Sequence, residues 1–297
     1  MAFEAKLQAF NSKVNAVTIG TGDKAITIGG QNVMPFYSFD AAIENPQKIG
    51  LEILDDENAV ENAKKAESME GVSFVCLHLQ SADPNGENKS VEDCVALAKA
   101  VSDATPLPLV IMGCKAVEKD AEIFNKVSEA LEGKNILVLS AREENYKQVG
   151  ASAGLAYGQK VGAESAVDIN LAKQLNTMLS QLGVDEKTIV MNAGSAAAGY
   201  GYEYVASTLD RIRLAALTQG DAQLAMPIIT PVSTETWGVK ESIMAEEEMP
   251  EWGSLDERII EMEITTAAAA LTGGADAVIM RHPEAIKTIA AMIAALN

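Results

Sequence analysis

Cysteine and histidine are nearly missing from this sequence. Its 297 residues include three cysteines, Cys76, Cys94 and Cys114, far apart and never as C-x-x-C. That spacing argues against a zinc ribbon or an iron–sulfur cluster held by this chain alone. Cys76 and Cys94 lie in apolar surroundings and read as buried or partly buried free thiols of a reducing compartment. The two histidines, His78 and His282, form no close ligand pair, so a histidine-rich metal site is excluded. Aromatic residues are only 5% of the chain. Positive charge is scarce too: 23 Lys+Arg stand against 42 Asp+Glu, a formal net charge of −19. A surface so acidic disfavours nucleic acid and anionic membranes, because both require cations facing phosphate. No apolar run reaches the roughly 20 residues that a membrane span requires. The first residues, Met1-Ala2-Phe3-Glu4-Ala5-Lys6, lack a basic segment followed by an apolar one, so the expected location is the cytoplasm.

What is abundant is aliphatic. Hydrophobic residues make up 48% of the chain, enough for a large core, and Ala, Val, Ile and Leu dominate. Val17-Thr18-Ile19 and Ala25-Ile26-Thr27-Ile28 alternate at period two around Gly20-Thr21-Gly22-Asp23-Lys24, which predicts a β-hairpin. Eight apolar strand-like runs follow: Ile49–Leu54, Val72–Leu79, Leu107–Met112, Ile136–Leu139, Ser165–Val167, Thr188–Met191, Met226–Thr230 and Ala277–Met280. Between them lie helical stripes with start and stop signals. Ser90-Val91-Glu92-Asp93 is a capping box, Asp168 a candidate N-cap, Gly273-Gly274 a helix stop, and Pro283 suits a first turn. Strand and helix alternating eight times predict an α/β fold, a (β/α)8 TIM barrel with an N-terminal hairpin extension. The expected division is residues 1–46 for the extension and 47–297 for the barrel, with the hairpin plugging or flanking the barrel floor. A doubly wound sheet is the alternative. It usually carries a glycine fingerprint after its first strand, where this chain has Asp55-Asp56-Glu57-Asn58. Two long strand-to-helix insertions, Asn192–Tyr204 and Pro231–Leu255, mark candidate functional loops, the second holding Trp237, Trp252 and Glu246-Glu247-Glu248.

Barrel chemistry belongs at the C-terminal ends of the strands. Those ends read Glu52, His78, Asp83, Gly113, Ser140, Asp168, Asn170, Asn192, Ser195, Thr230, Thr234 and Arg281. The set is amide-rich and weakly acidic. It has no strand-end lysine for a Schiff base, no compact cluster for a metal hydrolase and no G-x-S-x-G elbow. Cys114-Lys115 reads as part of a solvent loop. Ala82-Asp83-Pro84-Asn85-Gly86 is either a turn or a site. His78 reads as a satisfied core histidine, and Arg281 as a partner for a carboxylate inside the barrel. The loop Gly194–Tyr202 is either a lid or a platform for a large planar ligand, since glycines allow close approach and tyrosines supply flat faces.

An ordered set of stretches carries a family likeness. They include Met34-Pro35-Phe36, Ser81-Ala82-Asp83-Pro84, Ser90-Val91-Glu92-Asp93-Cys94-Val95-Ala96, Gly113-Cys114 and Glu144-Asn145-Tyr146-Lys147. Asp168-Ile169-Asn170, Gly199-Tyr200-Gly201-Tyr202-Glu203-Tyr204, Arg211-Ile212-Arg213-Leu214 and Met280-Arg281-His282-Pro283-Glu284-Ala285 continue it. Over nearly its whole length the chain resembles the small subunit of the corrinoid iron–sulfur protein, the delta subunit of the acetyl-CoA decarbonylase/synthase complex. The resemblance implies a barrel related to pterin-binding methyltransferases. It implies a large-subunit partner carrying the iron–sulfur cluster and the corrinoid (cobalamin). It also implies methyl transfer from methyltetrahydrofolate, through a separate methyltransferase, to acetyl-CoA synthase in the reductive acetyl-CoA pathway of anaerobes. The chain would then be a non-catalytic cover over the corrinoid. The residues expected to face that cofactor are Asp83, Asn170, Asn192, Gly199, Tyr200, Gly201, Thr230, Arg281 and His282. No metal ligand is expected from this chain, which lacks an Asp-x-His-x-x-Gly pattern. The competing expectation is that the barrel is itself a pterin-dependent methyltransferase, with Asp83, Asp168 and Asn192 holding the pterin. A phosphate-binding barrel enzyme ranks third.

Overall fold

A computed structural model describes residues 10–36 and 43–297. Parts of the expected N-terminal extension, residues 1–9 and 37–42, lie outside the described residues. The hairpin is present as strands β1 (Ala16–Ile19) and β2 (Ile26–Gly29), paired antiparallel. Eight parallel strands follow: β3 (Lys48–Leu54), β4 (Val72–His78), β5 (Leu109–Met112), β6 (Leu137–Ala141), β7 (Lys160–Glu164), β8 (Ile189–Asn192), β9 (Ile229–Pro231) and β10 (Ala277–Met280). They run β8-β7-β6-β5-β4-β3-β10-β9, and a parallel bridge between Met191 and Ile228 brings β8 to β9 and closes the ring. This is the predicted (β/α)8 barrel.

The outer ring consists of α1 (Ala59–Ala66), α2 (Val91–Ala104), α3 (Val117–Ala130), α4 (Tyr146–Val149), α5 (Ile169–Leu182), α6 (Tyr202–Gln219), α9 (Leu255–Gly273) and α10 (Pro283–Leu296). A wide-turn helical segment, Gly150–Ala156, extends α4. The short helices α7 (Ser233–Thr236) and α8 (Lys240–Ile243) lie inside the second insertion. Local chemistry sets the helix ends. Ser90 accepts from the Asp93 N–H, Asp168 accepts from the Asn170 and Leu171 N–H groups, and Gly274 ends α9.

One expected strand is displaced. The run Ser165–Val167 is not a strand; the fifth barrel strand is Lys160–Glu164. Ala166 and Val167 have positive φ, which ends the extended chain. The true strand hides its signal because its inward position is Gly162, where a Cβ would come within 2.6 Å of Leu139. Gly50 plays the same part in β3, leaving room for the Phe74 ring, 2.1 Å from where a Cβ would sit.

Two apolar layers result. Outward strand residues such as Val75, Ile111, Val138 and Val278 pack under the helices. Inward residues Phe74, Cys76, Val110, Leu137, Leu139, Val190, Ile229 and Ile279 fill the barrel, and Val17, Ile19 and Ile28 of the hairpin join this inner cluster. The hairpin therefore plugs the floor. Gly20 donates to the Asn135 carbonyl at 2.8 Å, and Asn135 Nδ2 returns bonds to the Thr18 and Gly20 carbonyls. Near the same end, the fully buried Arg213 pairs with Asp276 and donates to the Gly274 carbonyl at 2.8 Å. Asp276 also accepts from the Ile228 N–H at 2.7 Å and from Gln31, just beyond the hairpin. The polar groups of this cluster are thus spent on joining segments distant in sequence.

Candidate functional site at the barrel mouth

With the floor plugged, the open end is the mouth at the C-terminal ends of the strands. The inward alternation that places Gly50, Phe74, Gly162 and Val190 in the barrel next presents Glu52, Cys76 then His78, Glu164 and Asn192. Apolar layers thus give way to a polar one within one strand repeat.

On one side, Glu52 is the hub. Its carboxylate takes the His78 Nδ1–H at 2.7 Å and the Arg281 Nε–H at 2.9 Å, with Arg281 Nη2 at 2.8 Å. Burial works to raise the Glu52 carboxyl, but the His78 hydrogen bond and the Arg281 and His78 charges together hold it below the ordinary carboxylate range. His78 is thus a satisfied interior histidine, and Arg281 pairs with a carboxylate inside the barrel. The Arg281 guanidinium also lies 4.6 Å from the Trp237 ring centre. Trp237 donates to Glu263 at 3.0 Å, and Glu263 accepts the Arg281 and His282 N–H groups at 2.7 and 2.9 Å. Burial nevertheless raises the Glu263 carboxyl, outweighing those three donors. His282 caps α10 through Nδ1, which accepts from the Glu284 N–H at 3.2 Å, leaving Nε2 to donate to Asp256. Sequence reasoning missed Glu263. It sits mid-helix in α9, with no local signal that two backbone N–H groups would converge on it.

The opposite side holds a narrow pocket, about 450 Å³ of empty space with its opening included, lined by Ser140, Arg142, Glu164, Asn192, Ser195 and Asp120 among others. Asn192 Nδ2 donates to Ser140 Oγ at 3.1 Å, while its Oδ1 accepts from Gly194. Arg142 bridges to Glu164 at 3.0 Å, and Lys115 reaches Glu235 at 3.5 Å. Asp120 is raised by burial despite accepting the Cys114 N–H at 2.8 Å. Cys114 is buried rather than in a solvent loop, because it bonds back to Asp120; its thiol is pushed up to about 11, chiefly by burial. Ser195 Oγ is buried without a partner.

The remaining predicted residues scatter. Gly199 and Gly201 both have positive φ and sharpen the loop before α6. Tyr200 is 45% exposed, and its hydroxyl donates to Glu241 at 2.6 Å, tying the two insertions together. Asp83 accepts from the Asn85 N–H at 2.9 Å and organises its own turn. Asn170 is exposed in the first turn of α5. Thr230 does not reach the mouth. It pairs in register with Val278, on the outward face of β9, and is fully buried there. The structure therefore gathers Arg281 and His282 on one side, Asn192 in the pocket and Gly199–Gly201 on the rim. Among the described residues, no group of three His, Cys, Asp or Glu side chains is placed to hold a metal ion. No helix among them is long and apolar enough to cross a membrane.

The fold is a (β/α)8 barrel of the dihydropteroate synthase shape. The Thermus thermophilus dihydropteroate synthase in complex with 6HMPPP superposes with TM-score 0.57 at 16% identity, covering 94% of this chain and 100% of that one. The Yersinia pestis dihydropteroate synthase gives 0.56 at 12% identity, over 84% and 92%. The sequence is more specific. The profile of the CO dehydrogenase/acetyl-CoA synthase delta subunit family matches residues 16–295, and the chain belongs to that family. Among its relatives is the acetyl-CoA decarbonylase/synthase complex subunit delta of Archaeoglobus fulgidus, 30% identical over 97% of this chain and 69% of that protein. That of Methanocaldococcus jannaschii is 31% identical over 91% and 69%. For Methanosarcina thermophila subunit delta 1 the shares are 91% and 66%, so the chain spans about two thirds of these relatives' length.

Proposed function

We propose that this chain is the small subunit of a heterodimeric corrinoid iron–sulfur methyl carrier, working in the cytoplasm. It covers the corrinoid face while a methyl group passes from methyltetrahydrofolate, through a methyltransferase, to acetyl-CoA synthase. Family membership supports the complex; the mouth supports the role of cover. The observation that carries it is the pairing of charges there. Glu52, Glu164 and Glu263 are all engaged by groups of this chain, and Tyr200 stands half exposed on the rim between two glycines. Such a surface fits a large planar group by shape. When bound, the corrinoid would supply the cobalt that carries the methyl group. The residues proposed to face it are Asn192, Gly199, Tyr200, Gly201, Arg281 and His282, with Asp83 and Asn170 further out; Thr230, facing the helices, is left out. Their work is exclusion of water from a reactive low-valent centre, and the cover must withdraw for donor and acceptor to reach that face. Co-expression with the large subunit tests this reading. The expected result is a stable complex with cobalamin absorbance; failure to bind that subunit would end it.

A second reading, a pterin-dependent methyltransferase, draws on the fold and on the pocket around Asn192, Ser140 and Asp120. Of its three expected ligands only Asn192 lines that pocket, since Asp83 and Asp168 serve a turn and a helix cap. Titration of the isolated chain with methyltetrahydrofolate discriminates: tight binding and methyl transfer by this chain alone favour the enzyme.

A further inference from the structure

One short helix joins the two halves of the mouth. The helix α7 follows β9 on the pocket side, where Thr234 and Glu235 form part of the wall. Glu235 reaches Lys115, another wall residue, at 3.5 Å, in an ion pair exposed to water. The residue that ends α7 is Trp237, and it belongs to the other half. Its Nε1–H donates to Glu263 Oε1 at 3.0 Å, and the Arg281 guanidinium lies 4.6 Å from its ring centre. The His282 ring stacks on it at 6.5 Å between centres and 22° between planes. Trp237 thus ties the pocket wall to the junction of β10 and α10, and an exposed glycine, Gly238, follows at once.

Trp237 holds on to a fully buried carboxylate that takes three donors. Two of them, the Arg281 and His282 N–H groups, belong to the backbone where β10 turns into α10. The third is Trp237 Nε1, carried by a side chain that is only partly buried. A carboxyl that takes a proton loses acceptor capacity, and the donor that can leave without moving the barrel backbone is the indole. Linkage fixes the sign. The Trp237 bond favours the ionised carboxyl, so proton uptake and departure of Trp237 favour each other. Burial already raises the Glu263 carboxyl, which brings that step toward neutral pH. The charged groups around it are otherwise engaged. Arg281, whose charge favours the ionised form, is held by Glu52, which also binds His78. His282 meets Asp256 of α9, and Glu235 of α7 faces Lys115.

We propose that α7 is a gate over the pocket and Trp237 its latch: protonation of Glu263 frees Trp237 and lets the Thr234–Glu235 wall move off the pocket. The proton comes from solvent and returns to it, and only hydrogen bonds change. Once Trp237 is free, the Lys115–Glu235 pair left across the wall is exposed and weak. The gate concerns this chain alone, so it stands or falls separately from the carrier reading.

The test uses the full-length chain carrying Trp252→Phe, which leaves Trp237 as its one tryptophan. Acrylamide quenching of Trp237 is expected to rise about threefold between about pH 8 and about pH 5, with a midpoint above the ordinary glutamate value of about 4.3. Glu263→Gln, which cannot ionise, is expected to lose the transition. His282→Asn, which still supplies a capping side chain to α10, is expected to keep it. In the wild-type chain, amide exchange of residues 232–237, corrected for the intrinsic effect of pH, is expected to quicken over the same range. Trp237→Phe removes the indole donor and is expected to show the fast exchange already at about pH 8. Circular dichroism and melting check that each variant is folded; should E263Q not fold, W237F decides. Flat quenching, a transition that survives E263Q or vanishes with H282N, or slow exchange in W237F overturns the latch. Quenching that responds while residues 232–237 exchange as before overturns the gate.

Discussion

The two ends of the barrel are built on opposite principles. At the floor, the hairpin drives Val17, Ile19 and Ile28 into the barrel, and the polar groups, Arg213 and Asp276 above all, are sealed in bonds that hold segments together. At the mouth, the same strands end in charged and amide residues, the loops turn on left-handed glycines, and large apolar side chains stand in water. One end stores stability and the other displays chemistry. A buried pair can be cross-linked on every side because nothing needs to enter, whereas a mouth must keep surfaces that only a partner satisfies.

That contrast can be broken from the floor first. Arg213→Ala leaves Asp276 buried without its cation, and a loss of about 3–5 kcal/mol is expected in urea unfolding. Ile28→Ala hollows the plug and is expected to cost about 2–5 kcal/mol by the same measurement, without altering binding at the mouth. A mouth change should be milder. Glu52→Gln removes the charge that His78 and Arg281 share and is expected to cost about 1.5–3 kcal/mol near neutral pH. Its pH dependence gives a sharper test. Because the Glu52 carboxyl is held low in the folded chain, its contribution is present above the unfolded carboxylate value of about 4.3 and fades as pH falls through the lower folded one. The gap between wild type and E52Q should therefore narrow in acid; a gap constant to about pH 3 would show that the charge contributes nothing. Glu263 has the opposite sign, since burial raises it and its ionised form weighs against folding until acid protonates it. The smallest effect is expected for Tyr200→Phe. Its bond to Glu241 is exposed, so melting should not move, but amide exchange in residues 196–204 and 238–243 should quicken if that bond holds the two insertions together.

Much of the barrel was legible in the sequence because aliphatic runs and caps are local signals. Ser90 and Asp168 cap, and Pro283 opens, the helices their positions predicted. The fifth strand was misplaced because Gly162 reads as a breaker, yet glycine is what the packing requires where Leu139 fills the barrel. The mouth was half legible. Arg281 and Asn192 could be placed from strand ends, but Thr230 fell on the wrong face, since a one-residue shift in register exchanges inside for outside. Glu263 was invisible because its partners lie 18 and 19 residues away in sequence.

The sequence by itself therefore determined the eightfold alternation, the hairpin, the acidic surface and the scarcity of metal-binding residues, all properties of composition and short-range period. Only the tertiary structure decided that the hairpin enters the barrel, that Glu52 and Glu263 are consumed by Arg281, His78 and the backbone around them, and that Tyr200 of the first insertion bonds to Glu241 of the second. Those outcomes depend on closing the ring of strands, which brings together residues that no local pattern relates.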